Sequence, residues 1–169
     1  GDAAADIVAA NMNLTATVAG TVGTLAQTLE IDVTTPAAPV GAVGVTGLTV
    51  TTAGGSIFLN DLEGGIAVNI ITAAAGDVTL TATGGSIISL ANLDANTDIT
   101  GATINLTTTG AGTIGSFAAG AQQPLRINAT TLLNATTSGQ TMWIRDVTGG
   151  VALGAVTTGG TVAGNVILS

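Results

Sequence analysis

The chain has 169 residues, of which 46% are hydrophobic and 7% charged, and its two arginines and ten carboxylates give a formal net charge of -8. This length allows one domain with a core, and the abundance of aliphatic residues excludes disorder, because disordered chains cannot bury enough apolar surface to fold. The scarcity of cations argues against binding to nucleic acids or anionic membranes, and no apolar run is long enough to span a bilayer.

The predicted elements are short strands that return in the same order along the chain. Residues 13–23 (NLTATVAGTVG) return as residues 105–115 (NLTTTGAGTIG), and residues 57–61 (IFLND) return as residues 142–146 (MWIRD). Asp6-Ile7 returns as Asp98-Ile99. The chain therefore contains nearly two copies of a unit of about 90 residues. Repeat unit A covers about residues 6–97, and an incomplete unit B covers about residues 98–169.

Inside each unit a shorter pattern recurs, in which an alternating strand is followed by a glycine corner. Residues 76–87 (GDVTLTATGGSI) and residues 47–57 (GLTVTTAGGSI) are two versions of it. In the first version Val78, Leu80 and Ala82 alternate with threonines, which predicts a strand with one buried face. Helical periodicity is nearly absent, so the sequence predicts an all-β protein.

Internal repetition decides between the possible all-β folds. The strands of a sandwich differ from one another, whereas every coil of a solenoid presents the same inward face to the coil below. We therefore predict a single parallel β-helix, or β-solenoid. With roughly 20 residues per coil and about 4.8 Å between coils, the chain would make about eight coils and a rod of about 40 Å.

Residues 76–87, together with Gly20-Thr21-Val22-Gly23 and the following Leu29-Glu30-Ile31-Asp32, resemble the repeat region of filamentous haemagglutinin and related large secreted adhesins. The resemblance covers most of the chain. It implies a right-handed parallel β-helix, secretion, and a role in attachment or in an extracellular fibre. The amino-terminal secretion domain of that family is not recognisable in this sequence.

Carboxylate pairs are the remaining candidates for catalysis, because the chain has no His, no Cys and no Lys. The pairs are Asp61 with Glu63, Asp94 with Asp98, and Glu30 with Asp32. Asp61 recurs as Asp146, which is typical of a corner residue and not of a unique active site. We therefore predict that the chain is not an enzyme.

Two patterns in the sequence resemble ligand sites but also fit ordinary surface chemistry. The alternating residues Asn92, Asp94, Asn96 and Asp98 could offer oxygen ligands to calcium, but such a stretch is more typical of a solvated turn. The Thr-x-Thr strands could form a flat ice-binding face, but β-branched threonine also suits any solvent-facing strand. The sequence thus predicts no metal site and no cofactor.

Four residues are candidates for contacts between chains or between units. Phe58 and Trp143 occupy matching positions between apolar neighbours, so period two points them away from the core. This exposure favours lateral packing, and the alternative is that they are covered within the chain. Glu30 and Arg126 also match, and opposite charges at one repeated position could pair between units.

The sequence favours a structural protein: a segment of an extracellular bacterial filament, adhesin stalk or matrix fibre that assembles by end-to-end stacking of coils. Its expected partner is itself, and its expected location is the bacterial surface or the extracellular space. The alternative is a β-helical adhesin module that binds a glycan or a host protein.

Overall fold

The computed structural model describes residues 4–33, 47–90, 96–117, 122–160 and 164–169. These residues form thirteen strands and no helix, so the all-β prediction is confirmed. With no helix in these ranges, none is available to cross a membrane. The strands are β1 (Ile7–Val8), β2 (Met12–Ala16), β3 (Leu29–Asp32), β4 (Leu48–Thr52), β5 (Ile57–Asp61), β6 (Gly65–Ala73), β7 (Val78–Ala82), β8 (Ser86–Ser89), β9 (Ile99–Thr108), β10 (Leu125–Thr137), β11 (Met142–Asp146), β12 (Leu153–Thr158) and β13 (Val166–Leu168).

The pairing between these strands is parallel throughout and falls into two columns. Column one runs through β1, β3, β5, β7, β9, β10 and β12. Column two runs through β2, β4 and β6, and then through β8 and the start of β9, which both pair with β6. It continues through the start of β10, β11 and β13. An isolated antiparallel bridge joins Ser116 to Gln123. The chain alternates between the two columns, an arrangement compatible with a β-helix.

The core lies between the columns and is aliphatic. Val78, Leu80 and Ala82 are fully buried, as the period of two predicts, whereas the threonines between them are partly exposed. The same alternation in other strands adds Ile57, Leu59 and residues such as Ile104 to one continuous cluster. Burying a side chain of this size contributes about 1.5–3 kcal/mol relative to leaving it in water.

Buried threonines close several corners of the chain. The hydroxyl of Thr108 donates a hydrogen bond to the carbonyl of Gly112 at 2.7 Å. The hydroxyl of Thr52 donates likewise to the carbonyl of Gly55. These bonds satisfy carbonyls where the chain leaves a strand, so that a polar side chain can be buried at the corner.

Candidate functional site

Phe58 lies on β5 with its side chain directed away from the core. Its neighbours Ile57 and Leu59 are fully buried, whereas Phe58 itself is half-buried. Its backbone N–H donates to the carbonyl of Val22 at 2.8 Å. Phe58 is therefore covered in part by its own chain and keeps some surface for a lateral contact.

Trp143 occupies the corresponding place on β11. Its N–H donates to the carbonyl of Ile114 at 2.8 Å, as that of Phe58 does to Val22. Trp143 is also half-buried, and its ring centroid lies 6.2 Å from that of Phe117 at an interplanar angle of 37°. The contact with Phe117 was not expected from the sequence, and it joins two aromatic rings into one partly exposed pair.

The backbone N–H groups of Glu30 and Arg126 each contact an aspartate that lies immediately before the neighbouring strand, β1 or β9. The N–H of Glu30 donates to Asp6 Oδ2 at 3.3 Å, and the N–H of Arg126 donates to Asp98 Oδ2 at 2.8 Å. Arg126 is only 9% exposed, and its Nη1 atom has no hydrogen-bond partner. Any partner from another unit would therefore have to approach a buried guanidinium, and pairing between units stays a prediction.

The corner that follows β5 holds a fully buried carboxylate. Asp61 Oδ2 accepts the N–H of Val33 at 2.9 Å, and Asp61 Oδ1 accepts the N–H of Gly65 at 3.1 Å. Burial, with a smaller contribution from the charge of Asp32, raises the pKa of Asp61 from 3.8 to about 6, against the lowering effect of these hydrogen bonds. The sequence identified Asp61 as a corner residue but did not predict its burial. The signal was present, because Asp61 lies two residues after Leu59 and four after Ile57, on the same face of β5.

The corner that follows β11 repeats this arrangement at a more open place. Asp146 Oδ2 accepts the N–H of Gly150 at 2.6 Å, and its Oδ1 accepts the hydroxyl of Thr148 at 3.1 Å. Burial acts to raise the pKa of Asp146, but the hydrogen bonds from Gly150, Thr148 and Gly149 together outweigh it and lower this pKa. The two corners share their geometry but differ in the charge state that they favour.

Among the described residues, the candidate catalytic carboxylates lie in different surroundings. Asp61 faces backbone N–H groups from inside the fold, whereas Glu63 is exposed. Glu30 and Asp32 are partly exposed neighbours on β3. Asp94 lies outside the described residues. Asp98 is buried and accepts the hydroxyl of Ser89 at 2.7 Å.

The described carboxylates also form no recognisable metal site. No group of three or more His, Cys, Asp or Glu side chains within the described ranges could hold an ion. Two of the four residues that could offer oxygen ligands to calcium, Asn92 and Asp94, lie outside those ranges. Asp77 Oδ1 accepts the N–H of Thr103 at 2.9 Å, so this aspartate too binds backbone.

Both columns end in strands that have one described partner each. At one end β1 pairs with β3 and β2 with β4; at the other, β12 pairs with β10 and β13 with β11. Apolar side chains are exposed at these edges, among them Val8 at 60%, Leu153 at 52% and Val166 at 44%. A cleft of about 380 Å³ opens beside β12 and β13, lined by apolar residues that include Leu153 and Leu168.

The chain matches no protein family model, no curated protein and no solved structure. The residues and contacts described above therefore carry the functional argument.

Proposed function

We propose that this chain is a structural segment of an extracellular bacterial filament, adhesin stalk or matrix fibre, built as a parallel β-helix whose coils stack end to end. The observation that carries the proposal is the alternation of the chain between two columns of parallel pairs. Paired residues in neighbouring strands are 19–36 residues apart, from Leu125 with Ile144 to Met12 with Leu48. Such spacing is typical of successive coils of a solenoid.

The tandem repeat is supported by a bulge that occurs twice. Leu48 pairs with Val68, and the register shifts before Val50 pairs with Ile71. Leu133 pairs with Leu153, and the register shifts before Ala135 pairs with Val156. These residues lie at matching positions in units A and B. Within the described ranges, column one contains seven strands, which supports about seven coils where the sequence predicts about eight.

The role of the carboxylates favours a structural function over a catalytic one. Asp6, Asp61, Asp77, Asp98 and Asp146 each accept a backbone N–H from a corner or from a neighbouring strand. A carboxylate that accepts backbone N–H groups in this way shapes the turn, which favours a structural role for these side chains. The resemblance to the repeat region of filamentous haemagglutinin supports the same function, with a location at the bacterial surface or outside the cell.

Negative-stain electron microscopy of the purified chain tests this function. Unbranched filaments whose length increases with protein concentration are expected, because exposed strand edges and apolar side chains at both ends favour addition of further coils. The net charge of -8 opposes association, so assembly should increase with salt. Compact particles of uniform size at every concentration and salt would contradict the filament.

A glycan- or host-protein-binding module is the second candidate, favoured by the pair of Phe117 and Trp143. Phe117 also lines a surface groove with Gly64, Gly85 and Ile88. An aromatic ring beside a surface groove is a common feature of binding sites. The chain has one tryptophan, so titration with oligosaccharides should change the fluorescence of Trp143, and Phe117→Ala should weaken the response. No change with any glycan would remove the glycan branch of this candidate.

A further inference from the structure

We infer that the edge formed by β12 and β13 binds the edge formed by β1 and β2 of a second copy of this chain, in one register and one rotational phase. The inference rests on the proposed function and specifies the junction that a filament would contain. It is drawn from a junction that already exists inside the chain, where unit B begins on the end of unit A.

At the internal junction β9 pairs with β7. Val78 lies opposite Ile104, and Leu80 lies opposite Leu106. All four side chains are buried, so this register joins the core of unit A to that of unit B. A shift of one residue would turn every one of them towards solvent, and the register is therefore strongly specified.

The same two sequences recur at the open edges. Strand β13 and the residue before it (NVIL) match the corresponding part of β7 (DVTL), and the start of β2 (MNL) matches the part of β9 that pairs with β7 (INL). Copying the internal register places Val166 opposite Met12 of the second copy, and Leu168 opposite its Leu14. Val166 and Leu168 are 44% and 41% exposed, so this pairing would cover apolar surface.

A second pairing between the two copies agrees with the first. At the internal junction Ile71 of β6 lies opposite Ile99 of β9. Strand β12 matches β6, and Asp6-Ile7 matches Asp98-Ile99. The internal register therefore places Val156 opposite Ile7 of the second copy.

The rotational phase of the two edges also agrees. Strand β5 lies in column one, whereas β11, which matches it in unit B, lies in column two. Conversely, β2 lies in column two, whereas the part of β9 that matches it lies in column one. One unit therefore advances the chain by half a turn, and two units restore the original phase. A second copy in the same orientation brings its β1 to column one at β12 and its β2 to column two at β13.

On the edge of β2, the backbone groups of the outward residues remain for a new strand. Met12 N–H donates to the carbonyl of Gly47, and Ala53 N–H donates to the carbonyl of Ala16, each at 3.2 Å. The inward residues of β2 therefore bond to β4, and the N–H groups of Asn13 and Thr15 point to the open edge, because successive residues of a strand bond to opposite sides.

On β13 it is the inward residues whose backbone groups face the open edge. The junction requires this, because they would bond to the outward residues of β2. Met142 N–H donates to the carbonyl of Asn165 at 2.9 Å, and Ser169 N–H donates to the carbonyl of Ile144 at 3.2 Å. The backbone groups of Val166 and Leu168 thus point away from β11, towards the open edge. In the internal junction an outward residue donates in the same sense, since Thr109 N–H donates to the carbonyl of Ala82 at 3.0 Å.

Among the described residues, the intermolecular junction lacks one strand that the internal junction has. Above Gly65 the internal junction has β8, whose Ser86 pairs with Gly65. The second copy brings no counterpart of β8 over Gly150, so the cleft beside Leu153 stays open to solvent. The contact between copies consequently covers less of the adjoining coil than the contact between units does.

Two edge-blocking variants test the junction by complementation. Thr15→Pro removes an N–H from the open edge of β2, and Leu168→Pro removes one from the open edge of β13, in each case without breaking an internal ladder bond. Each variant alone should remain monomeric by analytical ultracentrifugation, and an equimolar mixture should form a dimer that does not grow. Urea unfolding of each variant checks that the fold is retained.

The possible results separate the junction from the function. If either variant alone still forms filaments as the unaltered chain does, the junction is wrong and the filament function stands. If the unaltered chain itself stays monomeric at every concentration and salt, both are overturned.

A disulfide test gives the same decision without proline. Asn13 and Ile167 would lie opposite each other across the junction at about 4.8 Å, within the Cα separation that a disulfide allows. The double variant Asn13→Cys, Ile167→Cys should form a ladder of disulfide-linked oligomers on oxidation of a dilute solution. The matched control carries Thr49→Cys in place of Asn13→Cys, one strand further in and about 10 Å away, and should not. Equal ladders from both pairs would overturn the junction.

Discussion

The chain contains the same corner twice, and its aspartate behaves differently in each. Residues 61–65 (DLEGG) and residues 146–150 (DVTGG) both place an aspartate four residues before a glycine whose N–H it accepts. Asp61 is fully buried and its pKa is raised to about 6, whereas Asp146 is partly exposed and its pKa is lowered.

Neighbouring strands account for this difference. At the first corner the preceding strand supplies the N–H of Val33, and β8 lies over Gly65. At the second corner the described residues place no strand over Gly150, whose surroundings within 4 Å of an added Cβ are empty. Position in the stack, and not the local sequence, sets the electrostatics of the corner.

Replacing the second glycine of each corner should show this contrast most strongly. Gly65 has φ 95°, and an added Cβ would lie 2.5 Å from the backbone N and O of Ser86, whereas Gly150 has φ 133° and an open surrounding. We expect Gly65→Ala to lower the free energy of unfolding by about 3–5 kcal/mol, from the clash and the backbone strain together. Gly150→Ala carries the strain alone, about 1–2 kcal/mol. Equal losses in urea unfolding would mean that β8 does not cover Gly65.

Removing each aspartate should give the next largest difference. Asp61→Ala leaves the buried N–H groups of Val33 and Gly65 without an acceptor, so we expect a loss of about 2–4 kcal/mol in the free energy of unfolding. Asp146→Ala leaves donors that water can reach, and should cost no more than about 1 kcal/mol. Thermal and urea unfolding of both variants measure the difference, and a larger loss for Asp146→Ala would reverse the assignment of buried and open corners.

The two aspartates should also give pH dependences of opposite sign. The folded-state pKa of Asp61 is raised from 3.8 to about 6, so the folded chain binds this proton more tightly than the unfolded chain. Stability should therefore fall as the pH rises from about 4 to about 6, by up to about 3 kcal/mol, and level off above. The lowered pKa of Asp146 stabilises the folded chain at higher pH, and this contribution is lost as the pH falls through the acid range.

Urea unfolding between pH 4 and pH 7 tests these signs. In Asp61→Asn the fall with rising pH should disappear, because the amide does not titrate. Asp146→Asn, the matched control, should retain the fall. An unchanged pH profile in Asp61→Asn would show that another group is responsible.

The sequence predicted the features that depend on local periodicity. Alternation identified the inward face of β7, and internal repetition placed Phe58 and Trp143 at matching positions, where the structure shows corresponding backbone hydrogen bonds. These features follow from the pleat of a strand, which fixes the direction of each side chain relative to its neighbours.

Features that depend on neighbouring strands were not predictable in this way. The burial of Asp61 depends on Val33 and on β8, which are close only after the chain has wound around. The contact of Trp143 with Phe117 joins two residues that are far apart along the chain, which the alternation within a strand cannot reveal. The inferred half-turn advance of each unit likewise depends on where the chain bends and not on how residues alternate within a strand.

Fibre diffraction from aligned assemblies of the unaltered chain tests the central claim most directly. Stacked coils predict a meridional reflection at about 4.8 Å, the spacing between coils. They also predict an axial repeat of about 34 Å, the length of the seven coils of one chain. The longer repeat distinguishes a β-helix from a cross-β fibril, in which a chain can contribute a single layer. A spacing of about 4.8 Å without the longer repeat, or strands running along the fibre axis, would contradict the account.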